Sequence, residues 1–125
     1  MSKVILIIED NPDNMQLAEE ILADAGYLTV PTTRAEDGIE RLLKGGIDLT
    51  LMDISLPDMD GLEATRIIKS DNTLKSVPVI GLSAHAMTSD RQAALDAGCD
   101  DYQTKPIDED ALLESIQHIL ESYSE

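Results

Sequence analysis

The sequence predicts an α/β domain of the doubly wound (βα)5 type: a five-stranded parallel sheet of order 2-1-3-4-5 with helices on both faces. Three observations carry this prediction. Five short extended segments alternate strictly with five segments of helical periodicity, and alternation over short connections demands parallel strands joined by right-handed crossovers. The second of these extended segments runs into a proline and the fifth is polar, which suits the two sheet edges and leaves the first, third and fourth in the centre. A chain of 125 residues holds one domain, with a real core that needs no disulfide or structural metal, and has no room for a second.

Val4 to Ile8 is a continuous apolar run rich in β-branched residues, the pattern of a strand buried on both faces. Asn11 can cap the following helix and Pro12 suits its first turn, while Met15, Ala18, Ile21, Leu22 and Ala25 recur at helical spacing until Gly26 stops it. Tyr27 to Val30 reads as the second strand, placed at an edge because Pro31 has no N–H for a ladder. Thr33-Arg-Ala-Glu36 has capping-box spacing and opens a helix with Ala35, Ile39, Leu42 and Leu43 inward and Gly45-Gly46 at its end. The third strand covers roughly residues 48 to 52 and ends at Asp53, followed by the turn residues Pro57 and Gly61. Gly61 to about Ser70 is a helix with Leu62, Thr65 and Ile68 inward, and Val77 to Leu82 is the fourth strand, followed directly by Ser83-Ala84-His85. An Ala-rich helix from Thr88 to Ala97, stopped by Gly98, leads into a short fifth strand, Asp101 to Thr104. Lys105-Pro106 ends it, and Asp108 can cap a last helix with the stripe Leu112, Ile116, Ile119 and Leu120.

Nine Lys and Arg against 25 Asp and Glu give a net charge of −16, which argues against a nucleic-acid or anionic-membrane partner. Cys99 is the only cysteine, so there is no intrachain disulfide and no metal-type Cys cluster, and a small buried hydrophobe is the reading favoured for it. The N-terminal apolar run is too short for a signal peptide, and no later run approaches the ~18 residues of a membrane span. The expectation is a soluble, cytoplasmic protein.

In a parallel sheet Glu9, Asp10, Asp53, Ser83 and Lys105 all leave the C-terminal edge, where open α/β folds bind ligands. Singly, each has a plain structural role as a helix-start acid, a turn residue or a solvated lysine. Together they make a chemical set. Two carboxylates ~4.5 Å apart at an effective dielectric of ~20 repel by roughly 3 to 4 kcal/mol, more than two pKa units, and a third acid makes this worse. Either one acid stays protonated or a cation sits among them, and oxygen ligands without Cys or His point to Mg²⁺ or a similar hard ion. A lysine and a hydroxyl opposite the acids are the groups that stabilise the oxygens of a transferring phosphoryl unit. Asp53, which ends the central strand, is the nucleophile candidate, with Asp10 as direct metal ligand and Glu9 acting through water.

With these residues in view, the chain resembles the receiver domain of two-component response regulators, flavodoxin-like in strand order, over essentially its whole length. The resemblance rests on Glu9-Asp10, on Asp53-Ile-Ser-Leu-Pro57-Asp-Met-Asp-Gly61, on Ser83-Ala84, on Tyr102 and on Lys105-Pro106. It implies that Asp53 accepts a phosphoryl group from a phosphohistidine on a histidine kinase or histidine phosphotransfer protein. It further implies magnesium held by Asp10, Asp53 and the main-chain carbonyl of Ser55, contacts from Lys105 and Ser83 to the phosphoryl oxygens, a cis bond before Pro106, and Tyr102 as the switch aromatic. Ser55 and His85 match positions that in this family tune phosphoryl lifetime. Output is expected through the fourth helix, fifth strand and fifth helix, by contact with a downstream protein target. Met1 favours a free-standing regulator over a receiver cut from a hybrid kinase. Two other classes compete weakly. Asp58-Met-Asp60 has the spacing of an aspartate-nucleophile phosphatase motif but lies in a loop after Pro57, and a flavin module finds no Trp or Phe to stack on a ring.

Overall fold

The computed structural model describes residues 2–56, 58–84 and 87–123. Five strands, β1 (Val4–Ile8), β2 (Leu28–Thr32), β3 (Leu49–Asp53), β4 (Val79–Ser83) and β5 (Asp101–Thr104), alternate with α1 (Pro12–Asp24), α2 (Ala35–Leu43), α3 (Gly61–Ser70), α4 (Thr88–Ala97) and α5 (Glu109–Tyr123). All pair in parallel in the order β2-β1-β3-β4-β5, so the predicted class and topology hold.

Alternation along the central strands builds two cores, because successive side chains point to opposite faces. Ile5, Ile7, Leu49, Leu51, Ile80 and Leu82 pack with the apolar stripes of α1 and α5. Leu6, Ile8, Met52 and Val79 pack on the other face with Ala35, Leu42, Ala64, Ile68, Ala94 and Tyr102. Cys99 lies buried and reduced in this second core, with its sulfur 3.8 Å from the Thr65 hydroxyl. Burial raises its thiol pKa, which suits an inert packing role.

Helix α1 is capped as expected, Asn11 Oδ1 accepting from Asn14 N at 3.0 Å, but Ala25 is its exposed C-cap and not part of the buried stripe. Strand β2 runs two residues past its predicted end, through Pro31. It pairs only with β1, and since Leu28 N donates to Lys3 O at 2.9 Å, alternation turns position 31 toward the open edge, where a missing N–H costs nothing. The predicted capping box at Thr33 and Glu36 does not form. Arg34 is the N-cap of α2 and makes no side-chain cap, and the carboxylate of Asp58, distant in sequence, takes the free N–H groups of Ala35 and Glu36 at 3.0 and 3.1 Å. The buried face of this helix centres on Ala35, Gly38 and Leu42, which leaves Leu43, expected inward, 58% exposed.

Strand β4 begins and ends later than the periodicity suggested. Val79 N donates to Asp100 Oδ2 at 2.8 Å, and Lys69 Nζ reaches the same oxygen at 3.0 Å and the carbonyl of Val77 at 3.0 Å, which ties α3 to the strands' N-terminal edge. The later end makes Ser83 the last strand residue, as Asp53 is of β3. Gly98 closes α4 with φ of +113°, and Asp108 accepts from Ala111 N at 3.0 Å at the start of α5.

Candidate functional site

β1, β3, β4 and β5 deliver their C-terminal ends to one edge of the sheet, and the register holds those ends side by side. Asp53 is opposite Leu82, Ser83 is opposite Thr104, and Lys105 N donates to Ser83 O at 2.8 Å. Glu9, next after β1, is only 2% exposed and Asp53 only 3%, whereas Asp10 faces solvent. Lys105, next after β5, brings its ammonium to 2.9 Å from Glu9 Oε1 and 3.3 Å from Asp53 Oδ1. Backbone donors fix the carboxylates further: Asn11 N to Glu9 Oε2 at 3.1 Å, and Ser55 N to Asp53 Oδ1 at 3.0 Å. The peptide bond before Pro106 is cis, as the resemblance implied.

The electrostatics of this pair are unequal. Burial pushes the Glu9 carboxyl above its ordinary range, and neighbouring Asp53 adds to this against the opposing pull of Lys105 and the Asn11 N–H. Burial works on Asp53 in the same direction, but its hydrogen bond with Glu9, the Ser55 N–H, the Lys105 charge and Asp10 outweigh it and hold that carboxyl below the ordinary value. Two adjacent buried acids cannot both ionise cheaply. The two carboxyls are thus held unequally, Glu9 raised and Asp53 lowered, and Asp53 is the one favoured as a carboxylate, the form a nucleophile needs. Burial would lower the Lys105 pKa, yet Glu9 and Asp53 together raise it, so its ammonium is firmly charged.

Glu9, Asp10 and Asp53 can each offer an oxygen within 4.8 Å of the others. The buried Glu9 Oε1 has the Lys105 ammonium as ion-pair partner but no aligned hydrogen bond. An all-oxygen set of three carboxylates with residual acceptor capacity suits a hard divalent cation, and its small number suits one that retains water. The donor set therefore fits magnesium.

The loop after Asp53 folds back tightly. Ile54 N donates to Leu82 O at 2.9 Å, Gly61 N donates to Ile54 O at 2.8 Å, and Ser55 pairs with Asp60 in an isolated antiparallel bridge. Only glycine fits at position 61, because a Cβ there would lie 2.5 Å from Asp53 O and 2.6 Å from Ile54 Cα. Asp58 and Asp60, the pair with phosphatase-motif spacing, both act as helix caps. Asp60 Oδ1 accepts from Leu62 N at 2.7 Å at the start of α3, while Asp58 caps α2. Asp60 was detectable as a residue preceding a helix; Asp58 gave no local signal, since its partners lie 22 and 23 positions away.

Tyr102 is inward and buried in the α2-to-α4 core, beside Gly81, where an added Cβ would stand 3.6 Å from its Cδ1. Ser83 is buried at the end of β4. Of the other residues singled out from sequence, Met1, Pro57 and His85 lie outside the described residues.

The chain matches the family model described as the response regulator receiver domain over residues 5–117. It is 37% identical over 120 residues to the polar-differentiation response regulator DivK of Brucella ovis, covering 96% of this chain and 98% of that protein. Among solved structures it is similar to the receiver domain of the sensor histidine kinase PA1611 from Pseudomonas aeruginosa PAO1, described with a magnesium ion coordinated in the active site cleft. That likeness has 34% identity and a TM-score of 0.84 over 98% of each chain. A CheY-like receiver domain protein from Methanospirillum hungatei JF-1 superposes with a TM-score of 0.89 at 28% identity, covering 99% and 98% of the two chains.

Proposed function

The chain belongs to the response regulator receiver domains, a family of signalling regulators, and on that premise we propose that Asp53 takes a phosphoryl group from a phosphohistidine on a histidine kinase or histidine phosphotransfer protein. The observation that carries the reading is the buried, ionised Asp53 held against the Lys105 ammonium at 3.3 Å. An Asp53 carboxylate oxygen bonds to phosphorus as the N–P bond of the donor breaks, and the released electron pair stays on the imidazole nitrogen. Lys105 and the Ser83 hydroxyl hold phosphoryl oxygens. Asp10, Asp53 and the Ser55 main-chain carbonyl would hold magnesium, with Glu9 acting through water. When bound, that ion supplies charge neutralisation among the acids and a ligand position for a phosphoryl oxygen.

The same residues assist phosphorylation and later hydrolysis, so the protein works as a self-assisting switch in the cytoplasm. Its output is a change in the face formed by α4, β5 and α5, relayed through Ser83 and Tyr102 and sensed by a downstream protein target. A target that prefers one state of this face also promotes that state's phosphorylation, by linkage. The match to DivK over 98% of its length supports a free-standing regulator of about one receiver domain, spanning residues 1–125 here. The likeness to a receiver domain of a sensor kinase supports a second reading, a receiver within a hybrid histidine kinase.

Incubation with acetyl phosphate and Mg²⁺, read by intact mass, should add one phosphoryl group to the wild type and none to Asp53→Asn. Beryllofluoride with Mg²⁺ should shift amide resonances of the β4, β5 and α4 segments. Labelling that survives loss of Asp53 would show the phosphoacceptor assignment to be wrong, and labelling independent of Mg²⁺ would remove the metal's role.

A further inference from the structure

The loop between Asp53 and Gly61 carries the Ser55 carbonyl; its polar bonds run Ser55 N to Asp53 Oδ1, Gly61 N to Ile54 O and Leu62 N to Asp60 Oδ1, Ile54 N reaches Leu82 O at its base, and Ile54, Leu56 and Met59 pack against the core. Asp58 is different, because both of its carboxylate oxygens leave the loop. Oδ1 accepts from Ala35 N at 3.0 Å and Oδ2 from Glu36 N at 3.1 Å, with Arg34 Nε at 3.9 Å from Oδ2. The side chain is 7% exposed although the residue lies at the surface. The other end of this clasp is firmly held, since Ala35 is fully buried and α2 packs on β1 so closely that a Cβ at Gly38 would meet Ile8 Cδ1 at 2.3 Å. Helix α2 supplies no side-chain cap of its own.

We infer that Asp58 is a positioning residue for the metal site: by clasping the N-terminus of α2 it fixes the loop that presents the Ser55 carbonyl beside Asp10 and Asp53. This rests on the proposed magnesium site and extends it to a residue that touches no metal. Packing of Ile54, Leu56 and Met59 holds the loop's apolar side, and a two-point carboxylate on a helix end fixes its polar side, so the third ligand is set before the ion arrives. Without it the loop must be ordered at the expense of binding.

The test separates clasping from simple helix capping and from charge. Asp58→Ala removes clasp and cap together. Adding Arg34→Ser to it restores a local cap at the N-cap position of α2, returns the net charge to that of the wild type, and leaves the loop without its hold on α2. Titrating Mg²⁺ calorimetrically into the full chain, beside thermal melts of the metal-free proteins, should show about tenfold weaker binding in both variants. The melting temperature should fall in the single variant and recover in the double. Recovery of Mg²⁺ affinity along with stability in the double variant would show that Asp58 only caps α2, and unchanged affinity in Asp58→Ala would overturn the inference outright. Absence of saturable Mg²⁺ binding in the wild type would instead remove the metal-site reading, and the inference with it.

Discussion

At the scale of single residues, Asp53 and Thr50 show how differently one strand treats its polar side chains. Asp53 is buried but answered by the Ser55 N–H and Lys105. Thr50, three positions earlier and fully buried, has a hydroxyl with no hydrogen-bond partner among the described residues. A buried, unsatisfied hydroxyl loses its hydration without compensation, at about 1 to 3 kcal/mol, whereas a methyl in its place has nothing to lose. Thr50→Val, which keeps the β-branched shape, should therefore stabilise the protein by about 1 kcal/mol, read as a higher urea midpoint at unchanged slope. An equal or lower midpoint would mean that the hydroxyl finds a partner. The sequence reading passed over Thr50, for within an apolar strand threonine is an ordinary β-former and its unmet hydrogen bond exists only once the neighbouring strands are in place.

Among the elements, what could be read in advance was whatever depends on neighbours in the chain. The β1 run, the Asn11 cap, the Gly98 stop and the Asp108 cap all hold within a few residues of their partners, and all were legible. So were the strand-end acids and Lys105, because parallel topology alone brings strand ends to one edge. The α2 cap was not, because Thr33 and Glu36 carry the right letters while the bonds come from Asp58 across the sheet edge. The N-terminal end of β4 shifted for the same reason, its first N–H being met by Asp100. The Asp58 clasp also has a pH signature. Burial would raise this carboxyl, but the N–H groups of Glu36 and Ala35 and the Arg34 charge outweigh it and hold it below the ordinary 3.8. A group lowered by folding adds stability above its unfolded value and loses it as pH falls through the folded value. The Ala35 and Glu36 amide resonances should thus titrate with a midpoint below 3.8, and α2 should lose protection against hydrogen exchange only in that acid range. A midpoint at or above 3.8 would contradict the clasp.

For the whole molecule, a net charge of −16 on 125 residues sets the background against which the site works. Self-repulsion of that size destabilises the compact state, and salt screens it over about 10 Å at 0.1 M. Lys105 is committed to Glu9 and Asp53, Lys69 to Asp100 and Arg91 to Asp101, and nine cations against 25 acids leave the surface strongly acidic. Two responses to added ions should then separate. Sodium chloride should raise the melting temperature of the wild type and of Asp53→Asn alike, since screening acts on the whole surface. Magnesium at matched ionic strength acts at one place, and a site binding only the native state stabilises it by about 2.7 kcal/mol at a hundred times its dissociation constant, a shift on the order of 10 °C for a domain of this size. That extra shift should appear in the wild type and be largely lost in Asp53→Asn, which lacks one of the three carboxylates of the site. Equal magnesium shifts in the two proteins would show the ion acting through the general acidic surface, and would leave Glu9, Asp10 and Asp53 as a cluster of acids relieved by Lys105 alone.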